Sequence, residues 1–187
     1  ITAGGKYTYL STTVTSSGSA FNTLIFNDSG GTGIYAPADV FNASSTVAIT
    51  GGTFDTGGNN VHTDGAITVS DIFNAHSSNV TTLSNVTNTG AINSGSCTFV
   101  FAGTANQTLT SGASTLNNLT LNNTGSSGTD NLIISGTLDI NGDLLITDGD
   151  FDTNTNDPNM TLAGDFTVGA AGSTDRGTGT LTFDGSG

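Results

Sequence analysis

Apolar residues along this chain come in short alternating pairs, among them Leu119/Leu121, Leu138/Ile140, Leu144/Ile146, Met160/Leu162, Phe166/Val168 and Leu181/Phe183. An alternation of period two marks a strand with one face buried. The pairs also recur in step. The interval from Leu119 to Leu138 is 19 positions, from Leu138 to Met160 it is 22, from Met160 to Leu181 it is 21, and from Leu144 to Phe166 it is again 22. Gly, Asn and Asp turns separate them. Successive coils of a parallel β-solenoid require this spacing, because each coil lays its strands on the coil below and the Leu, Ile, Val and Phe side chains form interior columns. An antiparallel sandwich shares the short alternating strands but gives no reason for so regular a return. The pattern predicts an all-β chain, a parallel β-solenoid of about nine coils of roughly 19–22 residues. Its length would be on the order of 40 Å at about 4.8 Å per coil. A right-handed coil is expected, as for parallel crossovers generally.

A longer repeat is laid over the short one. SAFNTLIFNDSG at 19–30 is rewritten as STLNNLTLNNTG at 114–125, displaced by 95 positions without a gap. ITGGTFDT (49–56) returns as ITDGDFDT (146–153), GAITV (65–69) as GDFTV (164–168) and TFVFAG (98–103) as TLTFDG (180–185), at offsets of 97, 99 and 82. The chain then divides into one unit over 6–100, a second over 101–182 and the opening of a third at 183–187. The copies differ by one insertion: 32 positions separate Val69 from Phe101, but only 15 separate Val168 from Phe183. The excess of 17 positions falls within 70–98. An added coil is favoured over a bulging loop, with Ile72, Phe73, Val80, Leu83 and Val86 as candidate interior residues.

Composition narrows the picture. All 15 acidic residues are aspartate, and the chain has one lysine (Lys6), one arginine (Arg176), one glutamine (Gln107), one methionine (Met160) and no tryptophan. Most straight-chain helix formers are therefore missing, and almost no helix is expected. The 34% of hydrophobic residues, regularly alternating, argue for order over disorder in a chain long enough for one domain. A net charge of −13 with two cations all but excludes nucleic acid as a partner and disfavours anionic lipid. No apolar run reaches the roughly 18 residues of a membrane span. No basic, hydrophobic leader is seen, and the chain starts inside a repeat, so a mature or trimmed product is expected.

The densest polar stretch is DGDFDTNTND at 148–157. Extended, it would put Asp148, Asp150, Asp152, Asn154 and Asn156 on one side, and a hard cation such as calcium takes six to eight oxygens from such residues. Asp148, Asp150, Asp152 and Asn154 are thus the calcium candidates, although no Gly and closing Glu complete an EF-hand order. The first copy carries Gly51, Thr53, Asp55, Gly57 and Asn59 at these places, so a solvated outer face is the favoured reading. No other cofactor is expected. His62 and His76 have no second ligand at metal spacing and read as surface residues. Cys97 alternates with Phe99 and Phe101 and reads as a core residue, not a nucleophile.

Catalysis finds little support. Lys6 and Arg176 lie near opposite ends, too far apart to share a site with carboxylates. Asp139 with Asp143, or Asp148 with Asp150, could supply the paired carboxylates of a polysaccharide hydrolase. However, no aromatic platform accompanies them, since Tyr7, Tyr9 and Tyr35 all lie near the start. No catalytic residue is assigned and the chain is not expected to be an enzyme. Asn-x-Ser/Thr triplets are inevitable in this composition, and outward threonines such as Thr108 and Thr110 form rows too interrupted to order ice.

The strings TFVFAGTANQTLTSGASTLNNLTLNNTG, LIISGTLDINGDLLITDGDFDT and GTLTFDGSG resemble a repeat of long bacterial surface proteins in the style of filamentous-haemagglutinin-like adhesins. The resemblance covers 98–187 well and 6–69 more loosely, and leaves the insertion unmatched. It implies a parallel β-solenoid, export from the cell and a structural or adhesive role in an extracellular or cell-surface fibre. It carries no catalytic residues. Surface glycans are candidate partners, and a carbohydrate- or calcium-binding module is the alternative role. Because the chain opens and stops inside repeats, two arrangements are expected. Either it adjoins further repeats of a longer chain, or subunits stack end to end through coils at roughly 4–26 and 178–187.

Overall fold

The computed structural model describes residues 11–185, which form 21 strands and no helix. The first coil carries β1 (Ser11–Val14) and β2 (Leu24–Phe26). The next holds β3 (Ile34–Pro37), β4 (Phe41–Ala43) and β5 (Val47–Ile49). It is followed by β6 (Thr53–Asp55), β7 (Val61–Thr63) and β8 (Ile67–Val69), then β9 (Ile72–Asn74), β10 (Asn79–Thr82) and β11 (Val86–Asn88). Then come β12 (Ala91–Asn93), β13 (Thr98–Phe101), β14 (Gln107–Thr110), β15 (Asn118–Asn122) and β16 (Asn131–Ile134). In the last coils β17 (Leu138–Ile140) precedes a long β18 (Leu144–Asp152), β19 (Met160–Leu162) precedes a long β20 (Phe166–Asp175), and β21 (Leu181–Phe183) follows.

All the strand pairings are parallel, and together they make a β-solenoid of about nine turns. The rod has three faces, which the chain visits in the order I, II, III on each coil. Face I stacks β1, β3, β6, β9 and β12, and resumes through a Leu116–Ile140 bridge with β17, β19 and β21. Face II stacks β4, β7, β10, β13 and β15, then the first halves of β18 and β20. Face III stacks β2, β5, β8, β11, β14 and β16, then the second halves of β18 and β20. These two long strands turn the II–III corner unbroken, through a register shift after Ile146 and a left-handed Gly149 at φ 95°.

Strands this short bury few residues each, so side-chain size decides how the interior fills. On faces II and III, β4, β5, β7 and β8 point their first and third residues inward. On face I, β6 and β9 point only the middle residue inward, and that residue is Phe54 or Phe73. The rings pack along the rod: Phe26–Phe54 stacked at 4.6 Å between centroids, Phe41–Phe54 tilted at 5.2 Å and Phe54–Phe73 stacked at 5.5 Å. Further along, the column is aliphatic, built from Leu119, Leu121, Leu138, Ile140, Leu144 and Ile146, all buried. At the corners, coils approach closely. A β-carbon on Gly90 would overlap the Asp71 carbonyl oxygen, so the turn there depends on glycine.

Residues 72–90 run through one whole coil, with Ile72 on Thr53, Val80 on Val61 and Val86 on Ile67. Phe73, Val80 and Val86 are interior, whereas Ile72 is half-buried and Leu83 is exposed at 38%, against the sequence expectation. The inward place at that corner belongs to Thr82. Its hydroxyl accepts the Ser84 N–H at 3.1 Å and donates to the Gly65 carbonyl at 3.1 Å, which a leucine could not do. Phe166, Val168, Leu181 and Phe183, also expected inside, are exposed because they belong to the last described coils.

The two copies of the long repeat occupy different faces. Phe21 bridges to β4 on face II, whereas its counterpart Leu116 bridges to β17 on face I. Likewise β2 lies on face III and its counterpart β15 on face II. The phrase holding Phe54 lies on face I, and the phrase holding Phe151 lies on face III. β13 belongs to face II and its counterpart β21 to face I. The second copy is turned back by one face throughout.

Candidate functional site

Aspartate and asparagine are short enough for their side-chain oxygens to reach a backbone N–H beside them or one coil away, and this chain uses them in that way at its corners. Asp28 accepts the N–H groups of Gly30, Thr32 and Gly33 at 3.1, 2.9 and 2.6 Å, which hold its carboxyl below the usual carboxylate range. Asp39 accepts Ser16 and Ser17 N–H at 3.0 and 2.7 Å and is lowered chiefly by the Ser16 bond. Between coils, Asp71 accepts Gly52 N–H at 2.7 Å and Asp143 accepts Asp165 N–H at 2.9 Å. Asn60, Asn85, Asn118 and Asn159 do the same for Asn79, Thr108, Asp143 and Thr180. The polar composition is therefore, in large part, a device for stitching coils.

A second set of polar groups lies inside. Thr63, Thr82, Gln107 and Asn123 are buried at the II–III corner, where each donates to backbone carbonyls and accepts a nearby N–H. No buried side-chain polar atom among the described residues lacks a partner. The alternation of apolar residues does not foretell this interior ladder. At Thr63, Thr82 and Asn123 its sequence signal is a polar residue two places after an inward apolar one, as in Val61-His62-Thr63 and Leu121-Asn122-Asn123, whereas Gln107 follows an exposed Ala105.

The calcium candidates are split by the corner they cross. Asp148 and Asp150 are both half-buried on the outside of β18, flanking buried Gly149. Asp148 accepts its neighbour Gly149 N–H at 2.9 Å, and Asp150 accepts the Ser173 hydroxyl at 3.0 Å. Partial burial raises the Asp150 pKa, and the charges of Asp175, Asp152 and Asp130 add to the rise, against the Ser173 bond. Asp152 is buried instead, and closes a turn by accepting N–H groups from Asn154 and Thr155 and the Thr155 hydroxyl at 2.8, 2.9 and 2.5 Å. Burial opposes its ionisation, but these bonds outweigh it and leave the carboxyl lowered. Asn154 lies in the turn and donates to Asp175 at 3.3 Å. Among the described residues no group of three or more His, Cys, Asp or Glu side chains converges as a metal site would require.

The remaining candidates fall where their alternation places them. His62 is on the outer side of β7 beside Asp64 at 3.0 Å, and His76 is exposed beside Asp55 at 2.8 Å. Cys97 is fully buried, and burial pushes its thiol up to about 12, so it is inert at neutral pH. Asp139 is held between the Thr115 and Thr161 hydroxyls. Lys6, Tyr7, Tyr9, and residues 4–10 and 186–187 of the expected end coils lie outside the described residues.

Apolar concavities lie at both ends of the described coils, and the one at the first coils, of about 260 Å³, is lined by Val14, Phe21, Leu24, Phe26 and Tyr35. A cavity of about 130 Å³ opens between the last coils, lined by Leu144, Phe151, Met160, Phe166 and Leu181, with Arg176 at its rim. It is the end of the interior column, not a cleft on a face. No helix among the described residues is long and apolar enough to cross a membrane. No family model matches the chain, and no curated protein or solved structure matches it either.

Proposed function

We propose that this chain is a structural segment of an extracellular fibre, a stiff rod belonging to a cell-surface protein or to a filament, with its polar faces available for adhesive contacts. The observation that carries this reading is where the chemistry-bearing side chains are spent. Asp28, Asp39, Asp71 and Asp143 hold backbone N–H groups, the buried Thr, Gln and Asn side chains hold corners, and Cys97 is sealed in the core. Little is left free for turnover. Three sheets sharing one core resist bending, and the inter-strand hydrogen bonds run along the axis of the stack, as a spacer needs. The resemblance to adhesin-style repeats supports the same role and the location outside the cell.

Electron microscopy of the purified chain tests the rod. Particles of one narrow width, elongated along the coil axis, are expected. Compact particles of no fixed width would sink the mechanical reading. Antibody labelling of intact cells that make the protein tests the location, which fails if signal appears only after permeabilisation.

A further inference from the structure

Among the described residues, faces II and III carry backbone pairing from coil to coil without a break, but face I does not. Its strands belong to two sheets, one of five strands ending at β12 and one of three strands beginning at β17. The coil between them crosses face I as residues 111–117, and this segment is bound differently on its two sides. Toward β17 it has backbone bonds: the Leu116 N–H donates to the Asp139 carbonyl at 2.9 Å, the Asn141 N–H to the Leu116 carbonyl at 2.9 Å and the Gly142 N–H to the Asn117 carbonyl at 2.8 Å. Toward β12 it is held by side chains. The Ser114 hydroxyl accepts the Ile92 N–H at 2.8 Å and the Asn88 amide at 3.0 Å. Asn88 also donates to the Ser111 carbonyl at 2.7 Å, and the Ser94 hydroxyl donates to the Thr115 carbonyl at 2.8 Å. Backbone bonding to the coil below resumes at Asn118, whose N–H donates to the Cys97 carbonyl at 3.0 Å.

This seam falls where the second copy of the repeat takes over. Ser114 stands two places before Leu116, as Leu138 stands two places before Ile140, so a hydroxyl occupies the place that an apolar side chain fills one coil later. The aromatic packing of the early coils also stops short of it, at the edge-on Phe73–Phe99 contact of 6.2 Å.

We propose that the seam is a joint in the rod: face I opens between β12 and residues 111–117 while faces II and III stay paired, so that the early and late coils bend about those two faces. Ser114 is the latch, because one hydroxyl holds both Ile92 and Asn88 across the gap. A fibre segment built this way is stiff within each repeat and compliant between them. The rod reading stands or falls on particle shape, which the joint leaves unchanged.

The chain carries its own reporter. Cys97 is its one thiol, is fully buried, and lies beside the seam, its N–H donating to the Ser94 carbonyl at 2.9 Å. Labelling of the full-length chain with excess dithiobis(nitrobenzoate) is expected to be faster than global unfolding and insensitive to low urea, the mark of a local opening. Ser114→Ala leaves the Ile92 N–H and the Asn88 amide without this acceptor and is expected to speed labelling about tenfold, whereas Ser114→Thr keeps a hydroxyl and should stay within about twofold of the parent. Thr161→Ala removes a hydroxyl bond to Asp139 from a coil of face I that has backbone pairing, and is expected to leave the rate unchanged. Bending is read by distances between spin labels in a Cys97→Ala background. Labels at Thr53 and Thr161 on face I, and at His62 and Thr167 on face II, each span about five coils or about 24 Å. The face I pair is expected to give the broader distribution.

Labelling of Cys97 at the rate and with the urea slope of global unfolding overturns the opening. Equal rates for Ser114→Ala and the parent overturn Ser114 as the latch. Equally narrow distributions on the two faces overturn the bend.

Discussion

The early coils and the late coils of this rod solve the same packing problem in different ways. Ile34, Thr53, Ile72 and Ala91 stack on face I at a constant interval of 19 positions. Later, Leu109 stacks on Ile134 and Leu119 on Leu144, each an interval of 25. The early core mixes large with small, with Phe41, Phe54 and Phe73 beside Ala43, Ala75 and Val61. The late core is mostly of one size, Leu and Ile. The turn between the repeats connects these differences. In β6 and β9 of the early coils face I points one residue inward, and a phenylalanine fills that place. In the late coils face I carries the two-inward pattern of β17 and β19, and the single-phenylalanine phrase, now around Phe151, has moved to face III. The extra residues of the late coils leave at corners such as 123–130, outside the stacked strands. A short coil with bulky wedges therefore has little slack, and a long coil with even filling has more.

The sharpest way to break this contrast is to remove a wedge. Phe54→Ala takes out a ring that contacts Phe26, Phe41 and Phe73, and is expected to cost about 3–5 kcal/mol. Leu121→Ala in the late core should cost less, within the range of about 2–5 kcal/mol for a buried leucine. Urea titration followed by circular dichroism measures both. Because each coil touches mainly its neighbours, the Phe54 lesion should also raise amide exchange in the early coils more than in the late ones. Uniform loss of protection along the rod would show that the two regions are one cooperative block.

Slack is tested at glycine. Gly90→Ala drives a methyl into the Asp71 carbonyl of a short early coil, and a destabilisation of about 1–3 kcal/mol is expected. Gly128, in a long late corner at φ 86°, has open space around its missing β-carbon, so Gly128→Ala meets only the left-handed backbone penalty of about 1–2 kcal/mol. If Gly128→Ala proves the costlier of the two, close approach between coils is not what limits the early corners.

Acid should separate the regions more gently. Asp28 and Asp39 are lowered by backbone N–H bonds, so the stability they contribute is full above the unfolded aspartate value of about 3.9 and is lost as pH falls through their folded values. Asp55 in the early coils and Asp152 in the late ones follow the same sign. Asp150 has the opposite sign, because its raised pKa means that ionisation costs stability, a cost that disappears as pH falls through its folded value. Amide exchange compared at neutral pH and near pH 3 should therefore show the Asp28–Asp39 corners opening, and the strand around Asp150 opening less. Equal opening at both places would remove the distinction.

Much of the fold was legible because strands declare themselves by alternation. The pairs from Leu119/Leu121 to Met160/Leu162 are strands with both members buried, and the regular return of such pairs is the coil. What stayed hidden lies at corners, where alternation stops. Leu83 looked like an interior residue because it is apolar, but the backbone there needs the Thr82 hydroxyl inside. Thr63, Gln107 and Asn123 show the converse: a polar side chain is buried once the corner supplies partners, and sequence does not show those partners. The outward row at 148–157 assumed one extended strand, yet a turn after Asp152 spends that carboxylate on Asn154 and Thr155. The repeat could be found by matching letters, but matching letters are blind to the face each copy occupies.

The smallest effect concerns the acidic segment itself. Asp150→Asn keeps an oxygen for the Ser173 hydroxyl at 3.0 Å and removes a charge that faces Asp130, Asp152 and Asp175. A gain of about 0.5 kcal/mol or less is expected at neutral pH, the scale of a surface substitution. The gain should shrink as the solution is acidified, because the parent side chain becomes protonated by itself. Thermal melts of both proteins across that range decide the point. A gain that persists in acid would mean that the asparagine amide has found a new partner, and that charge was not the cost. A loss at neutral pH, restored by added calcium in the parent alone, would mean that the carboxylate serves a cation, and this stretch of the late coils would then be more than stitching.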